Sequence, residues 1–154
     1  MITNVSIISI FCTDLDETRD FYVDVLGFDA AEDISFGDYR WVTVTHPSQP
    51  ELFLHITTPG PPLDDGLVDA IQRSLAAGTM TGIGLNVDDC RATYEELSAK
   101  GVTFLQEPAD RPYGVEAIMR DVAGNWIVLV EQKPYTPEDF DGFEFDEEEP
   151  VSAD

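Results

Sequence analysis

The chain has 154 residues, 31 acidic and eight basic, with a formal charge of −23 and 43% hydrophobic side chains. That size and apolar content predict one folded domain with a real core. The acidic excess excludes nucleic acid and anionic membrane surfaces, which need a basic footprint, and no apolar run nears the roughly 18–20 residues of a bilayer span. The N-terminus lacks the basic start of a secretory signal, so a cytoplasmic protein is expected.

Residues 5–12 (VSIISIFC) form a β-branched run that predicts a strand. DLDETRDFYVDVLG follows, with Asp14 and Glu17 placed for a capping box, an apolar stripe of Phe21, Tyr22, Val25 and Leu26, and Gly27 as the C-terminal stop. Three strands are expected next, at about 28–36, 39–46 and 51–57. A Pro/Gly-rich link then leads into a short amphipathic helix over 64–77, with Leu67, Ile71 and Leu75 on one face. The pattern then repeats. TGIGLNV (81–87) predicts a strand, Asp88 starts a helix that ends at Gly101, and strands follow at about 102–106, 114–120 and 125–131, with turn chemistry at 121–125. Asp14 to Gly27 and Asp88 to Gly101 both span 13 residues, an offset of 74 between copies.

Each half therefore reads βαβββ. The predicted class is α+β, with two such modules forming curved mixed sheets around a cleft: module one at about 3–58, a linker at 59–79 and module two at about 80–132, together a single domain over 1–133. The last 21 positions hold nine acids and no base, leaving 22 acids against eight bases before them. Residues 134–154 are expected to be a mobile tail; the alternative is that Tyr135, Phe140, Phe143 and Phe145 anchor it. Cys12 and Cys90 sit in no paired motif and read as buried thiols.

Two phrases carry a family resemblance. Asp14, Leu15, Phe21, Tyr22, Val25, Leu26, Gly27 and Phe28 stand in one; Arg120, Asp121, Gly124 and Asn125, followed by WIVLVE, stand in the other. Over about residues 3–132 the chain resembles the vicinal oxygen chelate superfamily of glyoxalase I, bleomycin resistance proteins and extradiol dioxygenases. The resemblance implies paired βαβββ modules and a homodimer with clefts between modules. It also implies a divalent metal held by the first and last strand of each module. Carried over one by one, those ligand slots fall on Ile7, Gly82, Val128 and either Phe53 or His55. Aliphatic side chains and glycine donate nothing to a metal, so no metal and no cofactor are expected.

Strand alternation selects the cleft-facing candidates: Ser9 and Phe11 on the first strand, Phe53 and His55 on the fourth, and Ile127, Val128 or its neighbours on the last. Ser9 reads either as a hydroxyl satisfied in its strand or as a ligand contact. His55, between apolar neighbours, is structural or a general acid/base. Trp41 is core or a stacking wall for an aromatic or cationic ligand. Asn86 is a turn-side contact or an amide presented to the cleft. In RPYGVEAIM, Pro112 and Gly114 fix a loop around Tyr113, and Glu116 lies in an otherwise apolar strand, facing either solvent or the cleft. The expectation is a metal-free protein that binds an aromatic or cationic small molecule, as in drug or metabolite sequestration. The alternatives are a metal-independent lyase, isomerase or cyclase using His55 or Glu116, and a non-catalytic assembly module.

Overall fold

In the computed structural model, which describes residues 1–145, the elements run β1 (Ile7–Phe11), α1 (Leu15–Asp20), β2 (Asp29–Phe36), β3 (Tyr39–His46), β4 (Gln49–Thr57), α2 (Asp65–Ala77), β5 (Met80–Asn86), α3 (Cys90–Ala99), β6 (Phe104–Arg111), β7 (Gly114–Arg120) and β8 (Asn125–Gln132). The strands form two four-stranded mixed sheets of the same topology, β1-β4-β3-β2 and β5-β8-β7-β6. The α+β class and the doubled βαβββ pattern stand as expected. The chain divides into two compact units, residues 1–80 with 122–125 and residues 81–121 with 126–154.

In the first unit the Asp14 carboxylate caps α1 by accepting from the Glu17 N–H at 2.9 Å. The helix continues as a π-helical turn, Phe21–Val25, and Gly27 closes it at φ +79°. β1 pairs in parallel with β4 in the register Ile7↔Phe53 and Ser9↔His55, and β3 runs antiparallel beside β4 with Thr43↔His55. Alternation then splits the sheet. Ile10, Cys12, Val42, Val44, Leu54 and Ile56 are buried with Thr18, Tyr22 and Phe28 on the α1 side. Ile7, Ser9, Phe11, Trp41, Phe53 and His55 take the opposite face. In the linker helix α2, capped by Asp64, Ile71 and Leu75 are buried but Leu67 is exposed, so the inward face is shorter than its periodicity predicts.

The second unit repeats the division. Cys90, Leu97, Ala117, Met119, Ile127 and Leu129 form its core, and Glu116, Ile118, Arg120, Trp126, Val128 and Val130 point the other way. Ile127, expected in the cleft, is therefore a core residue; the parity of β8 gives the open face to Val128 and its even-numbered neighbours. The cap of α3 also differs from expectation. It is Asp89, whose carboxylate accepts from the Ala92 N–H at 2.9 Å, and Asp88 lies outside the helix. Asp89 to Gly101 spans 12 residues where Asp14 to Gly27 spans 13, and the π-helical turn of the first copy accommodates the extra one. β6 runs on to Arg111, well past the expected 106, because Pro108 sits on an edge strand, where no ladder donor is lost.

Candidate functional site

His55 is the centre of the first unit's open face. It is 8% exposed, and both of its ring nitrogens are engaged: Nε2 lies 2.9 Å from the Tyr39 hydroxyl and Nδ1 lies 3.3 Å from Ser9 Oγ. A neutral imidazole offers one donor and one acceptor, and two hydroxyls can meet both. Its ring stacks on Trp41 with centroids 4.1 Å apart and planes 20° from parallel. The indole is fixed in turn by its N–H, which donates to Glu32 Oε2 at 2.8 Å. Burial pushes the His55 imidazole below its ordinary value of 6.5, so near neutral pH it is uncharged. Phe36 extends the group, 5.2 Å from the Tyr39 ring, and Ile7, Ile34, Phe36 and Tyr39 stay exposed around it. The result is a solvent-reachable aromatic surface with a neutral, hydrogen-bonded imidazole set into it.

On the second unit Glu116 is the corresponding polar group. Tyr113 donates its hydroxyl to Glu116 Oε2 at 2.6 Å, Gln106 donates to Oε1 at 3.4 Å, and Arg111 Nε is 3.5 Å from the same oxygen. Arg111 also donates to Gln106 Oε1 at 3.0 Å. The Glu116 and Arg111 side chains are only 12% and 7% exposed, so this is a largely desolvated pair with each end hydrogen-bonded. The two-residue turn Pro112–Tyr113 between β6 and β7 sets this geometry. It closes on Gly114, at φ +147°, whose Cα packs so close to the Glu131 carbonyl that no side chain fits.

The described part of the acidic extension meets this cluster. Phe140 stacks on Tyr113 at 6.2 Å, and Phe143 and Phe145 lie 6.0 and 5.1 Å from the Arg111 guanidinium carbon. These are the ring contacts of the anchored alternative; residues 146–154 lie outside the described part.

The sequence candidates thus fall into two groups. Ser9, Trp41 and His55 are joined by direct contacts, with Phe11 and Phe53 half-buried on the same face. Tyr113 and Glu116 are joined in the second unit, while Asn86 is exposed at the end of β5. Tyr39 and Arg111 were not singled out from the sequence, although they hold His55 and Glu116. Tyr39 reaches His55 from the start of the neighbouring strand, a diagonal that period-2 alternation within one strand does not reveal.

The superfamily's metal does not fit these residues. Ile7 and Phe53 are directly paired in the first sheet, Gly82 and Val128 stand at the other two slots, and His55 is the sole side chain there with a donor atom. Among the described residues no group of three or more His, Cys, Asp or Glu side chains could hold a metal ion. Cys12 and Cys90 are both buried, and burial, with Glu131 nearby, pushes the Cys90 thiol up, away from the reactive thiolate.

The model of the Glyoxalase/Bleomycin resistance protein/Dioxygenase superfamily matches residues 4–129. The chain is 31% identical over 127 residues to the uncharacterized protein YurT of Bacillus subtilis (strain 168), covering 80% of this chain and 95% of that one. Of solved structures, UcmS2 aligns with a TM-score of 0.78 at 38% identity, covering 86% of this chain and all of its own. TnmS3, an antibiotic binding protein from Streptomyces sp. CB03234, aligns with a TM-score of 0.69 at 26% identity, covering 86% of this chain and 98% of its own. Matched over most of its length and in both modules, the chain belongs to the Glyoxalase/Bleomycin resistance protein/Dioxygenase superfamily.

Proposed function

We propose that this protein binds an aromatic small molecule without a metal and sequesters it unchanged, in the manner of a resistance protein. The observation that carries this reading is the Tyr39–His55–Trp41 surface: a rigid, partly exposed aromatic wall whose imidazole is uncharged and hydrogen-bonded on both sides. Such a wall gives stacking area with little entropy to lose on binding. That TnmS3 is an antibiotic binding protein supports the same class of ligand. Ser9, Phe11 and Phe53 complete the surface on the first sheet; Asn86, Tyr113 and Glu116 are its proposed counterparts on the second. The exposed apolar side chains Ile7, Ile34 and Phe36 support a homodimer, since a second copy would cover them. No helix among the described residues is long and apolar enough to cross a membrane, which fits the cytoplasmic location we propose.

A panel of planar aromatic antibiotics, screened by thermal shift, tests the reading. At least one should raise the melting temperature, by the equivalent of about 2.7 kcal/mol at a hundredfold excess over Kd. The shift should vanish in Trp41→Ala and weaken in His55→Ala, and mass spectrometry should recover the compound unchanged. Chelator should leave both the shift and the melting curve of the free protein as they were. Conversion of the compound, abolished by His55→Gln or Glu116→Gln, would replace sequestration with the lyase, isomerase or cyclase alternative.

A further inference from the structure

Residues 134–145 follow the last strand, past the 4–129 that the superfamily model matches, and they are folded in spite of their acids. The Asp139 carboxylate accepts from the Thr136 N–H at 2.7 Å, and Pro137 opens the single 3-10 turn Pro137–Phe140 between them. A type II turn comes next. The Phe143 N–H donates to the Phe140 carbonyl at 3.0 Å, Asp141 stands at φ −64° and ψ 116°, and Gly142 takes φ +76°, the left-handed value that this place in the turn requires. These hydrogen bonds close within the extension itself. The turn brings Phe143 edge-on to Phe140, with centroids 6.4 Å apart; both rings are half-buried, while Tyr135 and Phe145 stay exposed.

The buried rings meet the body at the β6–β7 turn. Phe140 lies on Tyr113 with the two planes only 22° apart, and Phe143 lies over the Arg111 guanidinium. A near-parallel ring on Tyr113 is also what an aromatic ligand would offer it, and one face of Tyr113 takes one ring at a time. Ring contacts of this kind are individually weak. The extension also brings Glu138, Asp139, Asp141 and Glu144 toward a body with 22 acids and eight bases. Its attachment is therefore reversible, held by rings and opposed by a repulsion that salt screens.

We propose that residues 134–145 are an autoinhibitory strap: Phe140 and Phe143 occupy the Tyr113–Arg111 end of the second sheet, and an aromatic molecule from outside stacks there only when they leave. This rests on the aromatic-ligand reading above and adds a regulator to it. A strap closed about nine-tenths of the time leaves one molecule in ten competent and lowers the apparent affinity about tenfold. Salt screens the repulsion and closes the strap further, so affinity for an uncharged ligand falls as ionic strength rises.

Nile red, an uncharged planar aromatic dye, tests this by fluorescence titration into the full chain, the chain ending at Lys133, and two variants of the full chain. The truncated chain and Phe140→Ala with Phe143→Ala, which keeps every charge, should both bind about tenfold more tightly than the full chain. Gly142→Val keeps every ring and charge but cannot hold the left-handed turn, and should fall between. The ratio of truncated to full affinity should grow at about 0.5 M salt. With 4-fluorophenylalanine in place of Phe140, the 19F resonance should move toward its position in the free peptide of residues 134–145 as dye saturates the chain. A circular dichroism melt confirms that each variant folds. Equal affinities throughout, a resonance that ignores saturating dye, or no dye bound by the truncated chain would each overturn the strap. So would tighter binding by the full chain, since the rings would then be part of the ligand's wall. The strap is read from the truncated-to-full ratio and the Trp41 surface from the effect of Trp41→Ala on both chains, so either reading can fail without the other.

Discussion

His55 sits among two hydroxyls and an indole, and its charge is what these surroundings resist. Burial holds its folded-state value below the 6.5 of an unconstrained imidazole. Above that value folded and unfolded chains are both neutral at this residue, and its full contribution to stability is present. As pH falls through it the unfolded chain takes up the proton first, so the contribution is lost toward the lower folded value. Urea unfolding of wild type and His55→Gln between about pH 7.5 and 5 should therefore show the wild-type advantage shrinking on acidification. An advantage that grows would mean the imidazole is charged in the fold. His55, Trp41 and Ser9 were legible in the sequence because period-2 alternation puts them on one face. Tyr39 and Arg111 were not, because their significance lies in which neighbour across the sheet they meet.

The helices and strands were legible where a local signal sets them. β7 falls on 114–120 as its turn-bounded apolar pattern predicts, and α2 (Asp65–Ala77) is capped by Asp64 at one end and by Gly78, in the left-handed conformation, at the other. The sequence misplaces an element where two equivalent residues compete or where a rule has an exception. Asp88 and Asp89 are chemically the same cap, and the alignment of the repeat favoured Asp88. That alignment ignored the extra residue held by the π-helical turn of the first copy. Asp89→Ala should cost about 1 kcal/mol in chemical denaturation, and Asp88→Ala should stay within a few tenths. Equal losses would mean that the cap is shared. Gly114→Ala should cost several kcal/mol or prevent folding, since a Cβ there drives into the Glu131 carbonyl while the backbone holds φ +147°.

The doubled topology was visible in the chain because each copy carries its own start and stop signals, and a repeat does not depend on any single contact. The acidic extension is the opposite case: its composition argues for solvation and its rings for packing, and only the fold shows what they meet. Phe140 lies on Tyr113, and Phe143 and Phe145 on Arg111, contacts worth together about 2–3 kcal/mol on typical values for ring pairs and cations over rings. Against that, residues 134–154 add nine negative charges to a body that already carries 22 acids and eight bases. Like charges destabilise the compact state, and salt removes most of that repulsion between exposed groups. Truncation after Lys133 therefore has two effects of opposite sign. At low salt, relief of repulsion offsets the lost ring contacts and the melting temperature should move little. At about 0.5 M salt the offset is screened and the truncated chain should melt several degrees lower, given about 2–4 °C per kcal/mol for a chain of this size. Phe140→Ala with Phe143→Ala keeps every charge, so it should lower the melting temperature at both salt concentrations. A truncated chain that matches the full one at high salt would show that the rings contribute nothing to the fold.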